Sequence, residues 1–127
     1  MVINATLTLE RLRAARPEHR RATVVPSRLQ GIEARMWRRA TAPDVARTPR
    51  LRLARLMLRN GRLAGAIRLL DPLVEEHPHL VEARLVRGVA RYLSGAVKAG
   101  RADLLSAALL RPSDAALRDF ATAALEA

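Results

Sequence analysis

Asn60-Gly61-Arg62-Leu63-Ala64-Gly65-Ala66-Ile67-Arg68-Leu69-Leu70 runs on to Glu75-Glu76-His77-Pro78. It has a counterpart in Gly95-Ala96-Val97-Lys98-Ala99-Gly100-Arg101-Ala102-Asp103-Leu104-Leu105, which runs on to Arg111-Pro112. Gly61 and Gly95 are 34 residues apart, and so are Pro78 and Pro112. Each copy places Gly where two helices turn, a small residue where they cross and Pro where the chain leaves. A helix pair of this kind leaves one apolar face uncovered, so copies stack and bury it between them.

The remainder of the 127 residues fits this pattern. One domain is expected at that length. Half the residues are hydrophobic, yet Trp37, Tyr92 and Phe120 are the only aromatics. Leu and Ala supply the bulk, and they lose little side-chain freedom in helices. The absence of Cys excludes disulfides, thiol catalysis and thiolate metal sites. No apolar run approaches the roughly 20 residues that cross a bilayer. No basic segment precedes a hydrophobic one at the start, so the expected location is the cytoplasm, with the inner face of a membrane-associated assembly as a variant.

The net charge of +11 is uneven. Residues 1–60 carry 14 Arg against 4 acidic residues, and residues 61–127 carry 9 basic against 8 acidic. Codon bias accounts for Arg over Lys but not for the asymmetry, which points to an anionic partner for the first half.

Along the chain, Thr6 or Thr8 starts a short helix that Pro17 ends, and Glu18 to Pro26 reads as a linker. Residues 1–26 are thus expected to be a basic appendage to a repeat domain of residues 27–127. Ser27 is expected to cap an amphipathic helix through Ala40, broken by Ala42-Pro43-Asp44. Leu29, Ile32, Met36 and Ala40 form its apolar side. Its register makes it the second helix of a degenerate earlier repeat, with Ile32 and Met36 packed on Ala54 and Met57. Thr48-Pro49 starts the next helix, Arg50–Arg59, and its partner runs from about Leu63 to Glu76 with Pro72 as an internal kink. A first helix over about Leu80–Leu93 and a second over about Ala99–Leu110 follow. Ser113 is expected to cap a last helix, Asp114–Leu125, that covers the open end of the stack.

Aligned by their arginines, Arg52, Arg55 and Arg59 fall on Arg84, Arg87 and Arg91 at an offset of 32, which implies two extra residues within Tyr92-Leu93-Ser94. Each set is spaced i, i+3, i+7 and forms one ridge on its helix.

Residues 47–125 resemble the tetratricopeptide (TPR) repeat family. Gly61 and Gly95 match its turn glycine, and Ala66 and Gly100 its small crossing residue. Leu70 and Leu104 take a bulky position, Leu73 and Ala107 follow, and Pro78 and Pro112 close each unit. Leu53 and Leu85, Ala54 and Val86, and Met57 and Val89 fill first-helix core positions, while Arg50 and Glu82 stand where the family has an aromatic. The resemblance implies an all-α fold, a short TPR-like solenoid of antiparallel helix pairs with a C-terminal capping helix. It also implies a concave groove lined by first helices, on which Arg55, Arg59, Arg87 and Arg91 take positions that face ligand. A narrower resemblance, carried by Leu51 to Gly61 and by Ser113 to Ala121, is to the small bacterial chaperones that hold needle subunits in type III secretion, where the groove binds one amphipathic helix.

No catalytic pattern emerges. His77-Pro78-His79 is a turn, Glu75-Glu76 with Asp71 lies at a helix end, and the Gly pairs lack the Lys-Ser/Thr of a phosphate loop. The chain is expected to be no enzyme and to need no cofactor or metal. Three functions remain open. The first is an adaptor or chaperone that holds an acidic or helical peptide on two Arg ridges, Arg52/Arg55/Arg59 and Arg84/Arg87/Arg91. The ridges read equally as solvated faces. The second is binding to nucleic acid or an anionic membrane through residues 1–55, where Arg28, Arg35, Arg38 and Arg39 surround Trp37. The third is a structural subunit within a hetero-complex.

Overall fold

The structure, a computed structural model, describes residues 25–42 and 48–126. These form helices α1 (Gly31–Ala40), α2 (Pro49–Arg59), α3 (Leu63–Glu76), α4 (Val81–Leu93), α5 (Val97–Leu110) and α6 (Ala115–Glu126), with no strand among the described residues. The fold is all-α and solenoid-like. The pairs α2/α3 and α4/α5 stack through α3 on α4, and α6 packs on α5 to close the array. The helix expected before Pro17 and the Pro43-Asp44 break lie outside the described residues.

The repeat is written in the backbone as well as in the sequence. The residue before each second helix has nearly the same geometry, φ −87°, ψ 68° at Arg62 and φ −79°, ψ 64° at Ala96. The exits match too, φ −130°, ψ 74° at His77 and φ −135°, ψ 74° at Arg111. At the first turn Gly61 has φ +78°, and its N–H and that of Arg62 bond the carbonyls of Leu58 (2.9 Å) and Met57 (2.8 Å). That double bond is the Schellman closure of a helix, which needs a left-handed residue. Gly95 takes the same left-handed place at φ +99° and keeps one of the two bonds, its N–H on Tyr92 O at 3.3 Å.

This geometry corrects the arginine alignment. Both second helices have 14 residues, both turns have the same length, and α4 gains its two extra residues at its start. No insertion stands within Tyr92-Leu93-Ser94. The true equivalents are therefore Leu51 with Leu85, Ala54 with Gly88, and Arg55 with Val89, all of them buried. A two-residue slip rotates a helix face by about 200°, so the two Arg ridges point to different sides of the stack. Leu53, expected in the core, is 48% exposed for the same reason.

The core is Leu and Ala, as expected, with Leu58, Leu70, Leu73, Leu85, Val86, Val89, Leu104 and Leu117 fully buried. Pro72 sits on the exposed side of α3, and the helix runs through it. The tightest crossing joins α4 to α5. A side chain at Gly100 would bring Cβ to 2.6 Å from Tyr92 N and 2.8 Å from Gly88 O, and one at Gly88 would meet Asp103 Cβ at 3.0 Å. Two glycines thus let the backbones touch.

The first helix departs furthest from expectation. Residues 27–30 are not helical, Leu29 N–H closes a turn on Pro26 O, and α1 begins at Gly31. It is packed, with Ala34, Met36, Trp37 and Ala40 buried. Its larger contacts, however, are with α4 and α6, and it meets α2 through the Arg55 and Arg59 bonds to its C-terminal carbonyls. A preceding repeat would pack mainly on α2, whereas α1 packs mainly on α4 and α6. Thr48 takes the expected N-cap position without a side-chain bond, and Asp114, not Ser113, caps α6 by accepting Leu117 N–H (3.1 Å).

Gly100→Ala is expected to cost about 2–3 kcal/mol, because only backbone atoms stand in its way. Gly65→Ala should be tolerated, since the atom it meets is the mobile end of Met57. Urea denaturation of the two variants checks this, and equal midpoints would refute the crossing as described.

A helix held in a charged groove

The side chains around α1 form a polar cluster that joins four helices. A helix leaves its last four carbonyls without internal partners and carries a partial negative charge there. In α1 these carbonyls meet α2. Arg55 Nη1 donates to the carbonyl oxygens of Arg39 (2.7 Å) and Ala40 (3.1 Å), and Arg59 Nη2 donates to that of Thr41 (2.8 Å). Thr41 turns back on the helix, its hydroxyl donating to Trp37 O at 2.7 Å. Arg55 is only 4% exposed. A charge so buried needs a counter-charge, and Glu82 at the start of α4 supplies it at 2.8 Å.

Arg39 carries the cluster to α6. It holds Asp114 with two parallel bonds, Nη1 to Oδ1 at 2.9 Å and Nη2 to Oδ2 at 2.6 Å, and reaches Glu82 Oε1 at 3.4 Å. Arg111 donates to the same Glu82 oxygen at 3.2 Å. Asp114 thus caps α6 and grips α1 at once. Hydrogen bonding to Arg39, helped by the Leu117 N–H and opposed by burial, holds its carboxyl at about 2 against an ordinary value of 3.8. The Asp114 bond in turn raises the Arg39 guanidinium, against the pull of burial. Four elements, α1, α2, α4 and α6, are tied through Asp114, Arg39, Glu82 and Arg55.

The second Arg set does different work. Arg87 donates through Nε and Nη2 to both Asp103 oxygens (2.8 and 2.7 Å) and through Nη1 to Asp71 (3.1 Å). Arg91 donates to Asp103 Oδ2 at 3.0 Å and approaches Asp71 at 3.4 Å. The Asp103 bond raises the Arg87 pKa, again against burial. Asp103 is 4% exposed. This network staples α3, α4 and α5 together within the stack. Arg84 Nε donates to Pro78 O at 3.0 Å, and Arg52 is exposed beside Leu53 and Leu56 along α2. The six arginines therefore do not form two facing ligand ridges. Arg55 and Arg59 grip α1, while Arg87 and Arg91 hold the stack.

The expected anionic-surface face is also divided. Arg28, Arg35 and Arg38 are exposed, but Trp37 is 3% exposed in the core and Arg39 is engaged in the groove. Trp37 therefore does not share the exposed face of those arginines. No helix of the described residues is long and apolar enough to cross a membrane. His77 and His79 sit on an exposed turn, and no cluster of three metal-ligating side chains occurs among the described residues. Glu82 and Asp114 are the site residues that pattern reading missed. The signal was present in Arg55, which stands inside the apolar stripe Leu51, Ala54, Leu58, where a charge implies a buried partner.

Asp114→Asn is expected to lower stability at pH 7 by about 1–2 kcal/mol, the scale of a hydrogen bond to a charged group. A depressed carboxylate stabilises above its unfolded pKa and loses the effect as pH falls through the folded one. The gap between the two proteins should thus be full above about pH 4 and close toward pH 2. A gap independent of pH, measured by urea denaturation, would exclude the ionic grip. Arg55→Glu and Arg87→Glu should each cost about 3–5 kcal/mol through stranded buried carboxylates.

No family model matches the chain, and no curated protein or solved structure matches it either.

Proposed function

We propose that the chain is a non-catalytic protein-binding module, an adaptor or chaperone of TPR-like build whose first-helix face takes an amphipathic helix of a partner. The loop geometry repeating at 34 residues supports the TPR-like assignment. The observation that carries the function is α1 itself. A ten-residue helix packs on α4 and α6, with its apolar side buried and its C-terminal carbonyls bound by Arg55 and Arg59. A surface that holds one helix by its buried side, its charge and its end has the equipment to hold another. A helical partner is favoured over an extended acidic peptide, because the guanidiniums of Arg55, Arg59, Arg87 and Arg91 bond internal acceptors.

A second reading rests on the exposed Arg28, Arg35 and Arg38 together with the +10 of residues 1–60. These suit an anionic surface, nucleic acid or lipid, bound through phosphates and weakened by salt. The third, a subunit of a larger assembly such as a secretion system, draws on Leu105, Leu109 and Leu110, exposed on α5.

A photo-reactive residue at Ser113, exposed beside Asp114, separates these readings from a control at Lys98 on α5. In the native host, the Ser113 position should capture one protein through a helical segment, and Lys98 should not capture it. Equal capture at both positions, or none, together with salt-sensitive retention on heparin, would favour the phosphate reading and refute the adaptor.

A further inference from the structure

The groove already holds a helix, and the way it does so specifies what fits. Three features of α1 are used. Met36, Trp37 and Ala40 supply the buried side, Arg39 fills a site made by Asp114 and Glu82, and the C-terminal carbonyls fall against Arg55 and Arg59. With ten residues and no side-chain N-cap bond, α1 is shorter than the roughly 12–15 residues at which helices form alone. Its helical form depends on docking. It also lies outside the repeated stack, which has its own staples in Arg87, Arg91, Asp71 and Asp103 and in the Gly88–Gly100 crossing. Release of α1 therefore leaves the stack's internal bonds intact.

Building on the adaptor reading, we infer that α1 is an exchangeable self-ligand, and that the groove takes in its place a basic amphipathic helix of a partner. That helix carries two adjacent large apolar residues, then an Arg or Lys two positions after them, then a small residue near its C-terminal end. The charge balance fixes the sign. Without Arg39, Asp114 loses both its guanidinium bonds and Glu82 one of its contacts. An acidic side chain there would stand against two carboxylates at close range, a destabilising contact in a half-buried site. Arg55 and Arg59 do not reverse this, because their acceptors in α1 are carbonyls that any helix presents at its end.

The probe is a fluorescent peptide of residues 27–42, titrated into the full chain and into its Arg39→Glu variant. The variant weakens the internal competitor, so it should bind the peptide at least tenfold more tightly than the unmodified chain does. A peptide with Glu in place of Arg39 should bind that variant at least tenfold more weakly than the original, and one with Lys should largely recover. Hydrogen exchange of the unmodified chain adds a test that needs no variant. Amides of α1 should exchange at least tenfold faster than those of α4 and α5. Equal protection of α1 and α4, absence of peptide binding, or affinity indifferent to charge at position 39 would each overturn the inference. Capture of a helical partner at Ser113 would still leave the adaptor reading standing, so the two fail separately.

Discussion

A buried guanidinium needs more hydrogen-bond acceptors than one neighbour supplies, and at Arg55 that requirement organises the molecule. It lies in the apolar stripe of α2 and donates through its two Nη atoms to two carbonyls at the end of α1 and one carboxylate of α4. An unpaired buried charge is costly, so the carbonyls that α1 supplies must come from α1 or from a helix that takes its place. The carboxylate, Glu82, also contacts Arg39, and Arg39 binds Asp114 at the head of α6. One placement of charge therefore decides where the first helix docks and how the last is oriented to it.

The stack was legible in the sequence because it depends on residues with few alternatives. Gly61 and Gly95 mark left-handed turns, Gly100 marks a backbone contact, and Pro78 and Pro112 mark exits. None of these roles passes readily to another residue type. Leu117 and Phe120 followed as core from helical spacing, and Leu70, Leu73, Leu104 and Ala107 from the positions that the TPR resemblance gives them. Arginines gave a false register because a surface charge specifies no backbone geometry. Matching Arg52 to Arg84 put two faces in phase that the turn glycines set about 200° apart.

The groove was legible only in part, for a physical reason. Amphipathic spacing shows that one side of a helix is covered but not by what, and α1 satisfies its spacing on α4 and α6 as well as it would on α2. Pairing of distant charges, Arg39 with Asp114 across 75 residues, follows from the closed fold and from no local pattern. Glu82 attracted notice only as a missing aromatic. In the structure it stands between Arg39, Arg55 and Arg111, and its charge is what that position supplies.

The two arginine clusters bond different kinds of acceptor. Arg87 and Arg91 bond carboxylates of α3 and α5, elements that stay together in any arrangement of the stack. Arg55 and Arg59 bond main-chain carbonyls of α1, groups that carry no side-chain identity. Under the proposed exchange, selectivity falls to the carboxylates of Asp114 and Glu82 and to the core that buries Met36 and Trp37. The excess of positive charge in the first half is in part internal to this design, since α1 brings Arg39 to a site that α4 and α6 make acidic. What remains on the outer side, Arg28, Arg35 and Arg38, leaves with α1 whenever α1 leaves. Under the proposed exchange, filling the groove and presenting that basic face are two uses of one helix, and a partner that took the groove would also set the face free.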